Sequence, residues 1–205
     1  MNQALLIFAK NLVYGQVKTR LAATVGNDTA MTVYKHLLQH TESVTHQLPV
    51  NKFVFFSDAI ELNDAWCEKE YQKQIQSGDD LGARMQHAFE HAFAQQNKDV
   101  VIIGTDCLEI TPGIIMDAFI HLKDFDVVIG PAKDGGYYLA GMKQLHPSLF
   151  ININWSTSEV LQQTLVACKS QHLSVYLLPV LSDIDTKSDL SEPQKKLFQT
   201  KQPDI

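Results

Sequence analysis

The stretch Asp99-Val100-Val101-Ile102-Ile103-Gly104-Thr105-Asp106-Cys107-Leu108-Glu109 decides the fold. Val100 to Ile103 are apolar and β-branched without alternation. That is the pattern of a strand covered on both faces, as at the centre of a parallel sheet. Asp106 falls just beyond the carboxyl end of this strand, the edge where open α/β sheets bind ligands. A carboxylate there is a hard oxygen donor suited to Mg²⁺ or Mn²⁺ carrying phosphates. It would serve equally as a cap on the turn into the next helix.

Outward from this strand, apolar runs and helical periodicities alternate. Ala4 to Ala9 and Asp126 to Gly130 read as further buried strands, Phe53 to Phe56 and Val175 to Leu178 as strands, with a shorter one around Gln74 to Gln76. Ala30, Val33, Tyr34, Leu37, Leu38, Thr41 and Val44 recur at helical spacing after a cap at Asn27 or Asp28. Leu81, Met85, Ala88, Phe89, Ala92 and Phe93 form a second such face, capped by Asp79 or Asp80. Thr111-Pro112 opens a third helix, and Ser156 or Thr157 a fourth. Ile60 to Tyr71 reads as helical, Thr186 or Ser188 as the cap of a last helix, and the chain after Pro193 as a polar, frayed tail. This alternation predicts a single domain over residues 1–205, a three-layer α/β/α sandwich with a mostly parallel central sheet. The segment from about 130 to 157 interrupts it and reads as a substrate lobe.

Bulk composition narrows the function. The 205 residues are 45% hydrophobic and 20% charged, ordinary for a globular chain. A net charge of −6 with no basic run argues against nucleic acid as a partner. Three widely spaced cysteines, Cys67, Cys107 and Cys168, fit a reducing compartment. With no apolar run long enough for a leader or membrane span, a cytoplasmic protein is expected.

Chemistry concentrates in the loops after strands. Lys10, Gly15, Lys18 and Arg20 follow the first strand, a local basic cluster in an acidic chain. Such a loop suits an oligophosphate, through charge-assisted bonds and backbone N–H groups, although a solvated basic turn has the same composition. It is not a Walker A loop, since Val17 stands where that motif needs glycine before the lysine. Gln76 to Arg84 places Arg84 at a helix start, where an anion or nucleotide edge could bind. In Asp134-Gly135-Gly136-Tyr137, the loop could place a carboxylate and an aromatic face against a ligand, with paired glycines allowing close approach, although an ordinary turn followed by core tyrosines has the same sequence. Asp183 and Asp185 flank Ile184, so both carboxylates share one side of an extended segment, and one is a candidate second metal ligand.

These blocks resemble a known family. Phe8-Ala9-Lys10 with Gly15 and Val17-Lys18-Thr19-Arg20-Leu21, Gly104-Thr105-Asp106-Cys107, Gly130-Pro131 with Asp134 to Leu139, Trp155-Ser156-Thr157, and Asp183 to Thr186 with Asp189-Leu190 follow in order. The chain is similar to a bacterial family of GT-A-type glycosyltransferases linked to radical-SAM or selenodomain proteins. That family is related to the phospholactate and molybdenum-cofactor guanylyltransferases. Leu12 and Tyr14 stand where the family has prolines, as does Leu108, and Lys187-Ser188 replaces a Pro-Glu pair; the site also lacks a full Asp-x-Asp. The resemblance implies the nucleotide-diphospho-sugar transferase fold and a transferase with a nucleotide-activated donor and a small-molecule acceptor. Ala9, Lys10, Gly15, Lys18, Arg20, Gln76 and Arg84 would bind the nucleotide and its phosphates. Asp106 and Asp185 would hold Mg²⁺ or Mn²⁺. Lys18, Arg20 and Asp106 would act in catalysis, and Asp134, Gly135, Gly136, Tyr137 and Trp155 would shape the substrate pocket. Glycosyl transfer is expected first. The alternatives are nucleotidyl transfer to a phosphorylated small molecule and non-catalytic nucleotide binding.

Overall fold

A computed structural model of the chain describes residues 2–62, 64–192 and 194. Its strands are β1 (Gln3–Ala9), β2 (Asn51–Phe56), β3 (Tyr71–Ile75), β4 (Asp99–Gly104), β5 (Val127–Pro131), β6 (Tyr137–Met142) and β7 (Val175–Leu177). Its α-helices are α1 (Thr19–Val25), α2 (Asn27–Thr45), α3 (Leu81–Ala94), α4 (Pro112–His121) and α5 (Val160–Ser170). The strands form one sheet in the order β3-β2-β1-β4-β6-β5-β7. The apolar run Val100–Ile103 therefore sits in its middle strand. β4 lies parallel to β1, with Ile7 opposite Ile103, and antiparallel to β6, with Leu139 opposite Ile103.

The uninterrupted apolarity of the strands has a direct packing consequence. Leu5, Ile7, Val54, Phe56, Val101 and Ile103 pack with Leu21, Tyr34, Leu37, Ile115 and Phe119 from α1, α2 and α4. Leu6, Phe53, Phe55, Val100 and Ile102, on the opposite face, pack with Met85, Ala88, Phe89 and Cys168 from α3 and α5. β1, β2 and β4 thus each feed two cores, and three layers result. No helix among the described residues is long and apolar enough to cross a membrane. The expected substrate lobe, residues 130–157, contributes β6 to the middle of the sheet, and β6 runs antiparallel to both its neighbours.

Two of the expected helix caps are present: Asp80 accepts from Ala83 N at 2.8 Å, and Thr111 from Ile114 N at 3.3 Å. Others differ. α2 begins after Gly26 rather than Asn27 or Asp28, and α5 after Glu159 rather than Ser156 or Thr157, in neither case with a side-chain cap. Residues 60–62 and 64–70 are irregular chain, bends and a turn, not helix, and the strand expected at 74–76 runs from Tyr71 to Ile75. Asp64 explains the difference. Its carboxylate accepts from Trp66 N at 2.8 Å and pairs with buried Lys73 at 2.9 Å, a local alternative to helical bonding. Thr186 does cap, but only a 3₁₀ turn, Lys187–Asp189. The tail predicted to fray lies outside the described residues, apart from Gln194.

β7 matters because the chain it delivers closes the site. Leu178 N donates to Ile129 O at 2.9 Å and Leu181 N to Pro131 O at 3.1 Å, and Ile184 N reaches Asp106 O at 2.9 Å. The start of β7 is fastened by Asp126, whose Oδ2 accepts from Ser174 Oγ (2.6 Å) and Ser174 N (2.9 Å). Those bonds hold the Asp126 carboxyl below the usual aspartate range. A lowered acid contributes stability that is complete above its unfolded value and lost as pH falls through the folded one. Asp126→Ala should therefore cost roughly 1 kcal/mol at neutral pH. The gap to wild type should narrow below about pH 4. Urea melts at the two pH values measure it, and a gap that does not change with pH would contradict this role.

Candidate active site

β1 and β4 are neighbours whose onward connections leave in opposite directions across the sheet, β1 toward β2 and β4 toward β6 and β5. A crevice opens at the carboxyl ends of such a pair. Here it is a cleft of about 830 Å³, lined among others by Lys10, Lys18, Arg20, Asp106, Asp183 and Asp185.

Lys18 forms its floor. The residue precedes α1 in the left-handed region, with φ 47°. Its flanks, Val17 and Leu21, are buried in the core. That anchoring sends the side chain inward, where Nζ lies 2.9 Å from Asp106 Oδ1 and 3.0 Å from Asp185 Oδ1. The lysine side chain is only 5% exposed, while the two carboxylates are 41% and 38% exposed. Burial alone would push the Lys18 ammonium down in pKa, but the charges of Asp106 and Asp185 outweigh it and hold it above the ordinary lysine value. It stays a cation at any working pH.

Asp106 comes from the end of β4, and Asp185 from the segment after β7. Asp189 orients Asp185, its Oδ2 accepting from Asp185 N at 3.0 Å and Thr186 N at 2.6 Å. Asp183 lies in an isolated bridge to Cys107. Burial pushes its carboxyl up to about 7, helped by the charges of Asp106 and Asp134. Cys107 lines the cleft, but burial pushes its thiol up to about 12, so it is no nucleophile near neutral pH.

The donor set fits a divalent cation carrying phosphates. Two half-exposed carboxylates converge on one point, already filled by a positive charge. Among the described residues no group of three or more His, Cys, Asp and Glu side chains gathers as a metal site. One or two carboxylates completed by substrate phosphates and water is the usual arrangement for Mg²⁺.

The remaining candidates divide. Ala9, Lys10, Arg20, Gln76, Arg84, Asp134, Gly136, Tyr137 and Trp155 line the same cleft. Lys10 and Arg20 are exposed, in contrast to Lys18. The Gln76 amide N–H₂ is committed to Phe55 O (3.0 Å) and Ala9 O (3.4 Å), tying β1 and β2 at their ends. Arg84 donates from Nε to Gly78 O at 3.1 Å. Gly15 and Gly135 do not line the cleft. At Gly135 (φ 93°) an added Cβ would lie 2.2 Å from Ser158 O. Its small size serves packing against the turn before α5, not ligand approach as expected. Trp155 stands over Gly82 at the start of α3, where a Cβ would fall 2.3 Å from its Nε1, and it meets Tyr137 edge-on at 6.4 Å.

Tyr34, expected only as a core residue, also organises the basic loop after β1. Its hydroxyl accepts from Lys10 N at 2.7 Å and donates to Lys10 O at 3.1 Å. Helical spacing marks Tyr34 as buried but carries no sign of where the hydroxyl ends.

Comparisons with known proteins find relatives of this sequence and fold. A family model described as "Uncharacterized protein conserved in bacteria (DUF2064)" matches residues 21–157. That span includes Asp106, Asp134 and Trp155. A 2-phospho-L-lactate guanylyltransferase from Methanocaldococcus sp. (strain FS406-22) is 25% identical over 179 residues, covering 86% of this chain and 75% of that protein. A structure from Desulfovibrio desulfuricans G20, proposed to be a nucleotide-diphospho-sugar transferase, matches with a TM-score of 0.84 at 33% identity, over 90% of this chain and 83% of that one. A manganese complex from Mycobacterium tuberculosis H37Rv shares the fold alone, with a TM-score of 0.56 at 13% identity over 98% of this chain and 100% of that one.

A carboxyl raised above its unfolded value destabilises the fold increasingly as pH climbs from about 4 to about 7. Asp183→Asn removes that penalty. With chelator present, the variant should melt higher than wild type at about pH 8 and alike at about pH 4. A lower melting temperature at pH 8 would show that the Asp183 charge is stabilising instead.

Proposed function

The chain belongs to this DUF2064 family of conserved bacterial proteins, and on that premise we propose that it is a transferase that takes a glycosyl group from a nucleotide-diphospho-sugar to a small-molecule acceptor. The observation that carries this reading is the division of charge in the cleft. Lys10, Lys18 and Arg20 line it together with Asp106 and Asp185. The part contributed by residues 134–158 brings Asp134, Tyr137, Trp155, Ser156, Thr157 and Ser158, and no cation. A diphosphate needs the first set of groups. An uncharged sugar or hydroxylated acceptor suits the second, which offers aromatic faces and polar tips.

Roles follow from position. Lys18, Lys10 and Arg20 hold the donor diphosphate and offset the charge that grows on it as the glycosyl bond breaks. A divalent cation held by Asp106 and Asp185 would add Lewis-acid charge to the same oxygens. Asp189 keeps Asp185 aimed, and Tyr34 fixes the backbone of Lys10. Tyr137 and Trp155 orient the transferred group, and Gly82 leaves the indole its room.

Nucleotidyl transfer is the second reading, favoured by the guanylyltransferase relative. In the guanylyltransferase-like form the acceptor is a phosphorylated small molecule, for which residues 134–158 supply no counter-charge to the cleft. The released product separates the two. A panel of nucleotide sugars and nucleoside triphosphates, assayed with Mg²⁺ or Mn²⁺, should yield a nucleoside diphosphate from a nucleotide sugar. Pyrophosphate released from a triphosphate would move the assignment to nucleotidyl transfer. Asp106→Asn should lower kcat by at least about 100-fold in a protein that still folds, though with a lower melting temperature because buried Lys18 keeps only Asp185 as an ionic partner. Unaltered turnover would remove Asp106 from the mechanism.

A further inference from the structure

Lys18 does more than line the cleft. Its ammonium is nearly sealed from water, yet both its partners are carboxylates that still face solvent. A hydrated divalent ion approaching those carboxylates meets a fixed positive charge already seated on the inner oxygen of each. The backbone cannot easily withdraw that charge, because Val17 and Leu21 are buried on either side of it. Only the flexible four-carbon stem can move. Phosphate oxygens are equal or better acceptors for an ammonium than the carboxylates it would leave.

We propose that Lys18 is the resting occupant of the metal position: its ammonium holds Asp106 and Asp185 together in place of a divalent cation, and metal enters only in company with donor phosphates that offer the ammonium another partner. The identity of those phosphates rests on the transferase reading; the competition between ammonium and metal does not. The resting protein consequently binds free metal weakly, and metal affinity is a property of the complex with donor.

The test is a Mn²⁺ titration without nucleotide, followed by the electron paramagnetic resonance signal of the free aqua ion. It compares wild type, Lys18→Met and the double variant Lys18→Met/Asp106→Asn. Removing a fixed cation a few ångströms away should tighten Mn²⁺ binding by at least about tenfold in Lys18→Met. The double variant should lose that gain. Lys18→Gln, neutral but polar at the same buried position, replaces the methionine variant if the latter does not fold. Equal affinities in wild type and the lysine variants would overturn the proposal, as would tight binding retained by the double variant. No nucleotide is present, so such a failure leaves the transferase reading standing. Failure of the transferase reading shows instead as absence of donor turnover.

Discussion

One buried ammonium and its two carboxylates constrain the whole functional end of this molecule. A lysine this far from water is tolerable only when paired, because an isolated buried charge costs many kcal/mol. The pair in turn has to be delivered from three places in the chain. Lys18 comes from the turn into α1, Asp106 from the end of the middle strand, and Asp185 from the segment after β7. Removing one partner of a buried pair typically costs ~3–5 kcal/mol. Here the carboxylates keep part of their hydration, so the penalty of separation falls mostly on the lysine. The interaction thus closes the sheet's ligand edge and at the same time leaves its acidic side open to other cations.

The surroundings reinforce that asymmetry. Asp134 adds negative charge near Asp106, and burial, helped by the charges of Asp106 and Asp134, pushes the Asp183 carboxyl up to about 7. A cluster with more carboxylates than cations is primed to accept positive charge. The exposed Lys10 and Arg20 on the neighbouring loop are primed to accept negative charge. A metal-bound diphosphate supplies both, and its binding would relieve both imbalances together.

Much of this was legible in the sequence. The unbroken Val100–Ile103 run marked the middle strand because burial on both faces leaves no room for alternation. The apolar faces of α2 and α3 followed from helical spacing. The basic loop and the Asp183–Asp185 pair were visible as charges at strand ends. What spacing could not carry was partnership across the chain. Lys18 read as one of several loop cations, although it is buried and paired while Lys10 and Arg20 are exposed. Gly135 read as room for a ligand, although a turn far along the chain presses on it. Residues 60–70 carried a helical pattern, which Asp64 overrode by bonding to Trp66 and Lys73. In each case the deciding atom belongs to another part of the chain, or to a local side-chain bond that competes with helix.

The most direct test is a crystal structure grown with Mn²⁺ and a non-transferable nucleotide-diphospho-sugar analogue, with the metal located by its anomalous scattering. The account predicts an anomalous peak between Asp106 and Asp185, the diphosphate against Lys10 and Arg20, and the Lys18 ammonium moved from the carboxylates to the phosphates. A nucleotide seated away from the carboxyl ends of β1 and β4, or manganese bound without Asp106, would contradict it.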